Sequence, residues 1–192
     1  MGYILSKAEF KYYLNKYYRE YTKEKLDKNY YTAIEAKKLT TKLIESVLKW
    51  KLSSSIRYPI NKLIIKKAKY VINDINKFKR GKIKDTKFEK ILDKITKGIV
   101  IRVFIKHICK PEEYAIYDKW MYRAFIMDAE RVLLDSKKVV AKAEDYNQFN
   151  KWFSKKCKAH PTYTPKEVDG AYMMWGKYLD TKKEFKSSHN ID

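Results

Sequence analysis

The chain has 192 residues, of which 45% are hydrophobic, so it can bury a sizeable core, and we expect one domain. Its 44 basic and 23 acidic residues give a net charge of +21, which favours a polyanionic partner. Five glycines and four prolines are too few for an all-β fold with many tight turns. No apolar run is long enough for a membrane span.

The cysteines and histidines indicate no metal centre. Cys109 and Cys157 have no CxxC spacing, and His107, His160 and His189 form no metal-binding motif. We therefore expect no disulfide, no metal and no cofactor. A reducing cytoplasm fits this composition, and the first residues lack the apolar core of a signal peptide.

Four capping boxes, in which Ser or Thr precedes Glu by three positions, predict helix starts at Ser6, Thr32, Thr86 and Thr164. Apolar residues recur every three or four positions after each box, so the predicted fold class is all-α. The second box predicts one helix from Ala33 to Leu52. Pro165 follows the fourth box at the first helical position, where proline is favoured.

The segment from Trp50 to Tyr58 has the composition of a ligand-binding loop. Serines and a proline predict the loop, and aromatic rings beside Lys51 and Arg57 suit a base and its phosphate. The alternative is that Trp50 is the last core residue of its helix.

The strongest basic patch follows this loop. Residues 59–84 contain nine basic residues and one acidic residue, and 60–78 are predicted to form a single helix. Around Gly81, the cations Lys79, Arg80 and Lys82 are candidate phosphate contacts. The alternative is a solvated loop.

Asp118 lies at the junction of two predicted elements. Gly98 is predicted to end one helix in a left-handed conformation, and the next helix runs from Val100 to Ile108. After Pro111, an extended run leads to Asp118, which precedes another amphipathic helix. Aspartate is a preferred N-cap, and a carboxylate held there can also serve a site.

Residues 1–180 are predicted to form one compact helical domain with two lobes that share a cleft. The last helix of this domain is predicted over Val168 to Leu179, and residues 181–192 are expected to form a flexible tail.

The order of helix, glycine turn, helix, proline, extended run, aspartate and helix resembles the helix-hairpin-helix DNA glycosylase superfamily, especially its 8-oxoguanine glycosylase branch. In topology the resemblance covers residues 30–180, and in motif it is confined to 98–123. One glycine, Gly98, stands where the family hairpin has several. The apolar stretch from Ile99 to Ile101 stands where bifunctional members carry a catalytic lysine, and Lys97 is the nearest substitute.

The resemblance implies a DNA N-glycosylase that flips a modified or damaged base out of double-stranded DNA and hydrolyses its N-glycosidic bond. Asp118 would stabilise the oxocarbenium-like sugar and orient water. Without a lysine nucleophile the enzyme would be monofunctional, and the alternative is that Lys97 supplies the nucleophile. A monomer is expected, and some compact relatives act in phage defence.

On this interpretation, two sets of residues serve the DNA. The candidate base-pocket residues are Trp50, Tyr58, His107, Tyr117, Trp120 and Trp175. The candidate phosphate-binding residues are Lys51, Arg57, Lys79, Arg80, Lys82, Gly98, Lys119 and Arg123.

Two alternatives stay open at this point. The first is a non-catalytic helical DNA-binding protein on the same scaffold, in which Asp118 is only a cap. The second is an RNA- or protein-binding helical module whose charge is largely a compositional bias toward lysine.

Overall fold

In a computed structural model the protein is all-α, as predicted. The structure describes residues 4–21, 26–52, 58–130 and 141–187, and these form helices without any strand. The chain divides into two compact units. Unit 1 comprises Met1–Lys23 and Ala115–Asp192, and unit 2 comprises Glu24–Tyr114. A cleft shared by two lobes stays a prediction.

Ten helices lie within the described residues. Unit 1 contains α1 (Lys7–Tyr21), α8 (Lys119–Glu130), α9 (Tyr146–Ala159) and α10 (Pro165–Ser187). Unit 2 contains α2 (Leu26–Glu35), α3 (Thr41–Lys51), α4 (Pro59–Tyr70), α5 (Ile72–Lys79), α6 (Asp85–Ile95) and α7 (Ile99–Cys109). Helix α10 extends through Ser187, into the segment expected to be a tail, and residues 188–192 lie outside the described residues.

Unit 1 is built around α10, which packs against α1 and α8. Two glycines of α10 permit this close approach. A Cβ at Gly170 would lie 2.6 Å from the Tyr17 ring, and a Cβ at Gly176 would lie 2.2 Å from the Trp120 carbonyl oxygen. Neither distance is tolerable for a side chain, so both glycines are set by helix packing.

Unit 2 has a buried side-chain clamp between α5 and the segment before α3. Asn76 Oδ1 accepts a hydrogen bond from the Leu39 amide at 2.7 Å, and Asn76 Nδ2 donates to the Leu39 carbonyl at 2.9 Å. Residues 60–78 do not form the single predicted helix, because α4 ends at Tyr70 and α5 begins at Ile72. The β-branched pair Val71 and Ile72 occupies this junction, where helix propensity is low.

The first and last predicted capping boxes are confirmed. The Glu9 amide donates to Ser6 Oγ at 3.3 Å, and Glu9 Oε2 accepts from the Ser6 amide at 2.9 Å. The Thr164 and Glu167 pair repeats the arrangement before α10. Each box satisfies orphan amide groups at a helix start.

The two middle capping boxes are wrong. Thr32 lies inside α2, where its hydroxyl donates to the Lys28 carbonyl at 2.7 Å, and α3 is instead capped by Thr40, whose Oγ1 accepts from the Leu43 amide at 3.1 Å. Thr86 is likewise already inside α6, whose cap position is Lys84. Both motifs match the pattern, but another residue starts the helix.

Gly98 does not adopt the predicted left-handed conformation. It has φ −69° and ψ 118°, which any residue can adopt, and its amide donates to Thr96 Oγ1 at 3.0 Å. Among the glycines of the described residues, the left-handed one is Gly81, with φ 69°. The Gly81 amide donates a hydrogen bond to the Phe78 carbonyl, and the Lys82 amide donates to the Lys77 carbonyl. These two hydrogen bonds form a Schellman motif that ends α5.

Candidate nucleic-acid interface

A concave surface of unit 2 forms a groove of about 880 Å³. It is lined by residues of α3, α4, α5 and α6 and of the junction between α4 and α5. A volume of this size is ordinary for a ligand-binding cleft. We call this surface the lysine groove, after the five lysines that line it: Lys62, Lys66, Lys67, Lys69 and Lys94.

The acidic residues of the lysine groove do not balance its cations. Glu45 lies 2.8 Å from Lys49 Nζ and 2.6 Å from Lys69 Nζ, and these hydrogen bonds lower the pKa of its carboxyl group to about 2. Asp74 is paired with Lys77 at 3.0 Å. Within the part of the chain that the structure describes, Lys62, Lys66, Lys67 and Lys94 have no acidic partner, so their charge is available to a ligand.

Helix α4 presents two unlike faces. Its buried face carries Ile64, Ile65 and Ala68. The opposite face carries Leu63 and Tyr70, seven residues apart and therefore stacked two turns apart on one side. Leu63 is 42% exposed and Tyr70 is 90% exposed, so the lysine groove combines cations with apolar surface.

At the basic turn after α5, one lysine is partly buried and two neighbouring cations are exposed. Lys79 donates to three backbone carbonyls, those of Ala33 (3.1 Å), Ile34 (2.9 Å) and Ile108 (2.8 Å). Burial lowers the pKa of Lys79. Its ammonium group satisfies carbonyl groups in the last turns of α2 and α7. The prediction of Lys79 as a phosphate contact is therefore corrected, whereas Arg80 and Lys82 are exposed as expected.

The predicted loop residues are not all accessible. Trp50 is partly buried against the rings of Tyr30 (5.4 Å) and Phe104 (5.9 Å), in agreement with the alternative that it ends the core face of α3. Lys51 Nζ lies 5.3 Å from the centre of the Phe104 ring. Tyr58 is half exposed at the cap position of α4. Arg57 lies outside the described residues.

His107 has a structural environment. Its Nδ1 lies 2.6 Å from the Tyr114 carbonyl, and its Nε2 lies 2.5 Å from the Tyr30 hydroxyl. A carbonyl only accepts, so Nδ1 carries a hydrogen atom. Both ring nitrogens are engaged and the side chain is buried, so His107 has no nitrogen free to hydrogen-bond the edge of a base. The prediction of His107 as a base-pocket residue is therefore corrected.

Asp118 is an N-cap, as predicted. Its Oδ1 accepts hydrogen bonds from the Trp120 and Met121 amides, both at 3.0 Å, at the start of α8 in unit 1. Lys119 is exposed, with its Nζ 4.6 Å from the centre of the half-buried Trp120 ring. The cap is a sufficient structural reason for this carboxylate.

Three other predicted DNA contacts near α8 and α10 are interior residues. Tyr117 is fully buried and its hydroxyl donates to the Lys142 carbonyl at 2.8 Å. Arg123 is 2% exposed and lies against the Trp120 ring, and Trp175 is buried edge-on to Tyr172. These assignments are corrected because a phosphate or a base has no access to side chains enclosed by helix packing.

The predicted hairpin residues lie on the surface of unit 2. Lys97 is 81% exposed and its Nζ lies 3.2 Å from Asp93 Oδ1, an ordinary pair four residues apart on the chain. Gly98 is exposed in the turn between α6 and α7. Lys97 and Gly98 belong to unit 2, and Asp118 belongs to unit 1.

The cations of the lysine groove were missed as individual site residues, although the basic patch over 59–84 includes four of them. The signal available in the sequence was the spacing of Leu63, Lys66 and Tyr70, which puts them on the α4 face away from the core. Lys94 lies on a different helix, and the sequence carries no signal that places it in the groove.

No protein family, curated protein or solved structure matches this chain. The resemblance to helix-hairpin-helix glycosylases therefore stays a prediction. Among the described helices, none has the length and apolar content needed to cross a membrane. The described residues also contain no cluster of histidine, cysteine and acidic side chains that suits a metal ion.

Proposed function

We propose that this protein binds nucleic acid through the lysine groove of unit 2. The observation that supports the proposal is the charge of the groove: five lysines line it, and its two acidic residues are already paired with lysines. Such a surface concentrates positive potential where a polyanion can contact it. A nucleic-acid backbone carries closely spaced phosphate charges, and it is therefore the polyanion that best matches a chain of net charge +21.

The shape of the surface favours a strand over a flat anionic surface. Cations come from α4 and from Lys94 of α6, so they stand on more than one wall of a concave surface. A strand placed in a groove can contact lysines on both sides of its backbone. A bilayer surface would meet the rim lysines and leave the interior of the groove unfilled.

The test is a salt titration of binding to labelled oligonucleotides, followed by fluorescence anisotropy. Each phosphate contact that is lost lowers the slope of log affinity against log salt by about one unit. The triple variant Lys62→Gln, Lys66→Gln and Lys67→Gln is expected to lower the slope by about two to three units. Glutamine is nearly as good a helix former as lysine, so α4 is retained.

The matched control removes the same charge from unit 1. Lys151, Lys155 and Lys158 are exposed on α9, and their triple glutamine variant is expected to keep most of the wild-type slope. Equal losses in both triple variants would assign binding to the overall charge and contradict the proposal. Salt-independent binding would contradict it as well.

We retain a second candidate, DNA N-glycosylase activity with Asp118 as the catalytic carboxylate. What favours it is that Asp118 follows Pro111 and a non-helical segment and opens α8, which agrees with the order that suggested the family. A carboxylate fixed at a helix start can stabilise a cationic sugar in the transition state.

Asp118→Asn tests this activity cleanly, because asparagine caps a helix as well as aspartate does. Duplexes with modified bases are incubated with the protein and then treated with alkali to reveal abasic sites. We expect base release by the wild type, none by Asp118→Asn, and no strand cleavage before alkali. Activity in Asp118→Asn equal to that of the wild type would eliminate the assignment.

A further inference from the structure

Tyr70 is the most exposed large hydrophobic residue of the described chain. It is the last residue of α4, it is 90% exposed, and it lines the lysine groove. Within the described residues, its ring has no aromatic, cationic or hydrogen-bonded partner. A ring left in water in this way needs an explanation outside the fold of unit 2.

Other exposed tyrosines differ from Tyr70 in this respect. Tyr12 contacts the Tyr13 ring at 5.2 Å, Tyr31 contacts the Tyr30 ring at 5.4 Å, and the Tyr18 hydroxyl donates to Glu167 at 2.7 Å. Each of these rings has an intramolecular role. Tyr70 therefore stands out by position as well as by exposure.

We propose that the lysine groove binds single-stranded nucleic acid and that Tyr70 stacks on an unpaired base. This inference rests on the proposed function. Lys66 and Lys67 precede Tyr70 by four and three residues on α4 and are therefore its neighbours on the helix surface, so a base stacked on Tyr70 would bring its phosphates close to these two ammonium groups. Alternating rings and cations are the usual composition of single-strand sites, because every base has a stackable face.

A duplex would leave Tyr70 unexplained. In a duplex both faces of each base are covered by neighbouring pairs, and the protein meets phosphates and groove edges. Lysines alone satisfy those contacts. An exposed ring at the edge of a basic groove gains contact area only from a base that is already unstacked.

An anionic membrane is the competing occupant, because Ile60 and Leu63 are also exposed on α4. Lysines and apolar residues on one helix are typical of interfacial helices. The groove is concave, however, and one of its lysines, Lys94, belongs to α6. This arrangement suits a narrow chain that enters the groove.

The experiment compares three ligands at one salt concentration: a labelled oligothymidylate, a duplex of the same length and vesicles containing phosphatidylserine. The wild type is expected to bind the single strand most tightly. Tyr70→Ala is expected to weaken single-strand binding by about tenfold to a hundredfold and to leave duplex binding unchanged. Tyr70→Phe keeps the ring and is expected to bind like the wild type.

Tyr12→Ala is the matched control, because Tyr12 is half exposed on α1 of unit 1 and does not line the groove. It is expected to leave single-strand binding unchanged. Urea unfolding of Tyr70→Ala is expected to match the wild type, because the side chain is in solvent.

The outcomes separate the two proposals. Salt-dependent binding without preference for the single strand, or without an effect of Tyr70→Ala, would overturn the inference and leave nucleic-acid binding standing. No binding to either oligonucleotide would overturn both. Binding to the vesicles alone, lost in Tyr70→Ala, would reassign this face to a membrane surface.

Discussion

Lysine has opposite roles in the interior of unit 1 and in the groove of unit 2. In unit 1, the Lys156 side chain is 4% exposed and its Nζ lies 2.8 Å from Asp128 Oδ2, which also accepts from Trp152 Nε1. In the groove, Lys66 and Lys67 are exposed, without an acidic partner among the described residues. The count of 44 basic residues therefore overstates the cations available to a ligand.

The largest expected effect comes from breaking the buried pair of unit 1. Lys156→Met leaves the Asp128 carboxylate buried without its countercharge, which is expected to lower the free energy of unfolding by about 3–5 kcal/mol. Urea unfolding followed by circular dichroism measures the loss. Lys66→Met, in the groove, is expected to change the free energy by less than about 0.5 kcal/mol.

The double variant Lys156→Met and Asp128→Leu tests the explanation. Asp128 Oδ1 has no hydrogen-bond partner among the described residues, so the pair is imperfectly satisfied. Removing both charges is expected to recover much of the stability, because an apolar pair needs no desolvated ions. A double variant as unstable as Lys156→Met would show that packing, and not charge, is lost.

The second prediction contrasts a glycine of each unit. Gly176→Ala places a Cβ against the Trp120 carbonyl, and since backbone must move, we expect a loss of about 1–3 kcal/mol. Gly98→Ala in unit 2 meets nothing closer than Thr96 Oγ1 at 3.4 Å, at an ordinary φ. It is expected to be neutral or stabilising by up to about 1 kcal/mol. Thermal unfolding of both variants measures the difference. Strong destabilisation of Gly98→Ala would instead support the left-handed conformation that the sequence predicted for Gly98.

The third prediction separates two neighbouring lysines of unit 2. Lys79→Met removes the donor shared by three carbonyls and is expected to cost about 1–2 kcal/mol of stability. Lys82→Met removes an exposed cation and is expected to leave stability unchanged. If Lys82 contacts a phosphate, the salt slope of oligonucleotide binding falls by about one unit in Lys82→Met. A stable Lys79→Met with weakened binding would reverse these assignments.

Capping motifs in the sequence predicted helix starts correctly where a single cap residue determines the start. Ser6, Thr164 and Asp118 cap helices as expected, because a cap needs only contacts within three residues. Thr32 and Thr86 carry the same motif but fall inside helices. These two positions show that a capping-box motif alone does not determine where a helix starts.

The candidate site was predictable in charge and not in geometry. The basic patch over 59–84 was evident in the sequence and supplies four of the five groove lysines. The hydrogen bonds that engage the Lys79 ammonium group depend on the carbonyls of Ala33 and Ile108, which are distant along the chain. Sequence periodicity cannot distinguish such a lysine from its exposed neighbour Arg80, because the difference arises only in tertiary packing.

The smallest expected effect concerns the titration of His160 in the interior of unit 1. His160 stacks on the Phe10 ring at 4.1 Å, and burial, together with the charge of Lys156, lowers the pKa of its imidazole. As the pH falls below about 6.5, the unfolded chain therefore takes up a proton before the folded chain does. This contribution to stability is complete above that pH and declines as the pH falls toward the lowered pKa.

His160→Gln removes this titration and keeps a group able to hydrogen-bond the Tyr172 hydroxyl, which lies 3.4 Å from Nε2. Urea midpoints at pH 7.5 and pH 5.5 are expected to differ more in the wild type than in His160→Gln. Equal shifts in the two proteins would mean that His160 accepts a proton in place. The interior of unit 1 would then tolerate a second cation beside Lys156, and the contrast with the open groove of unit 2 would weaken.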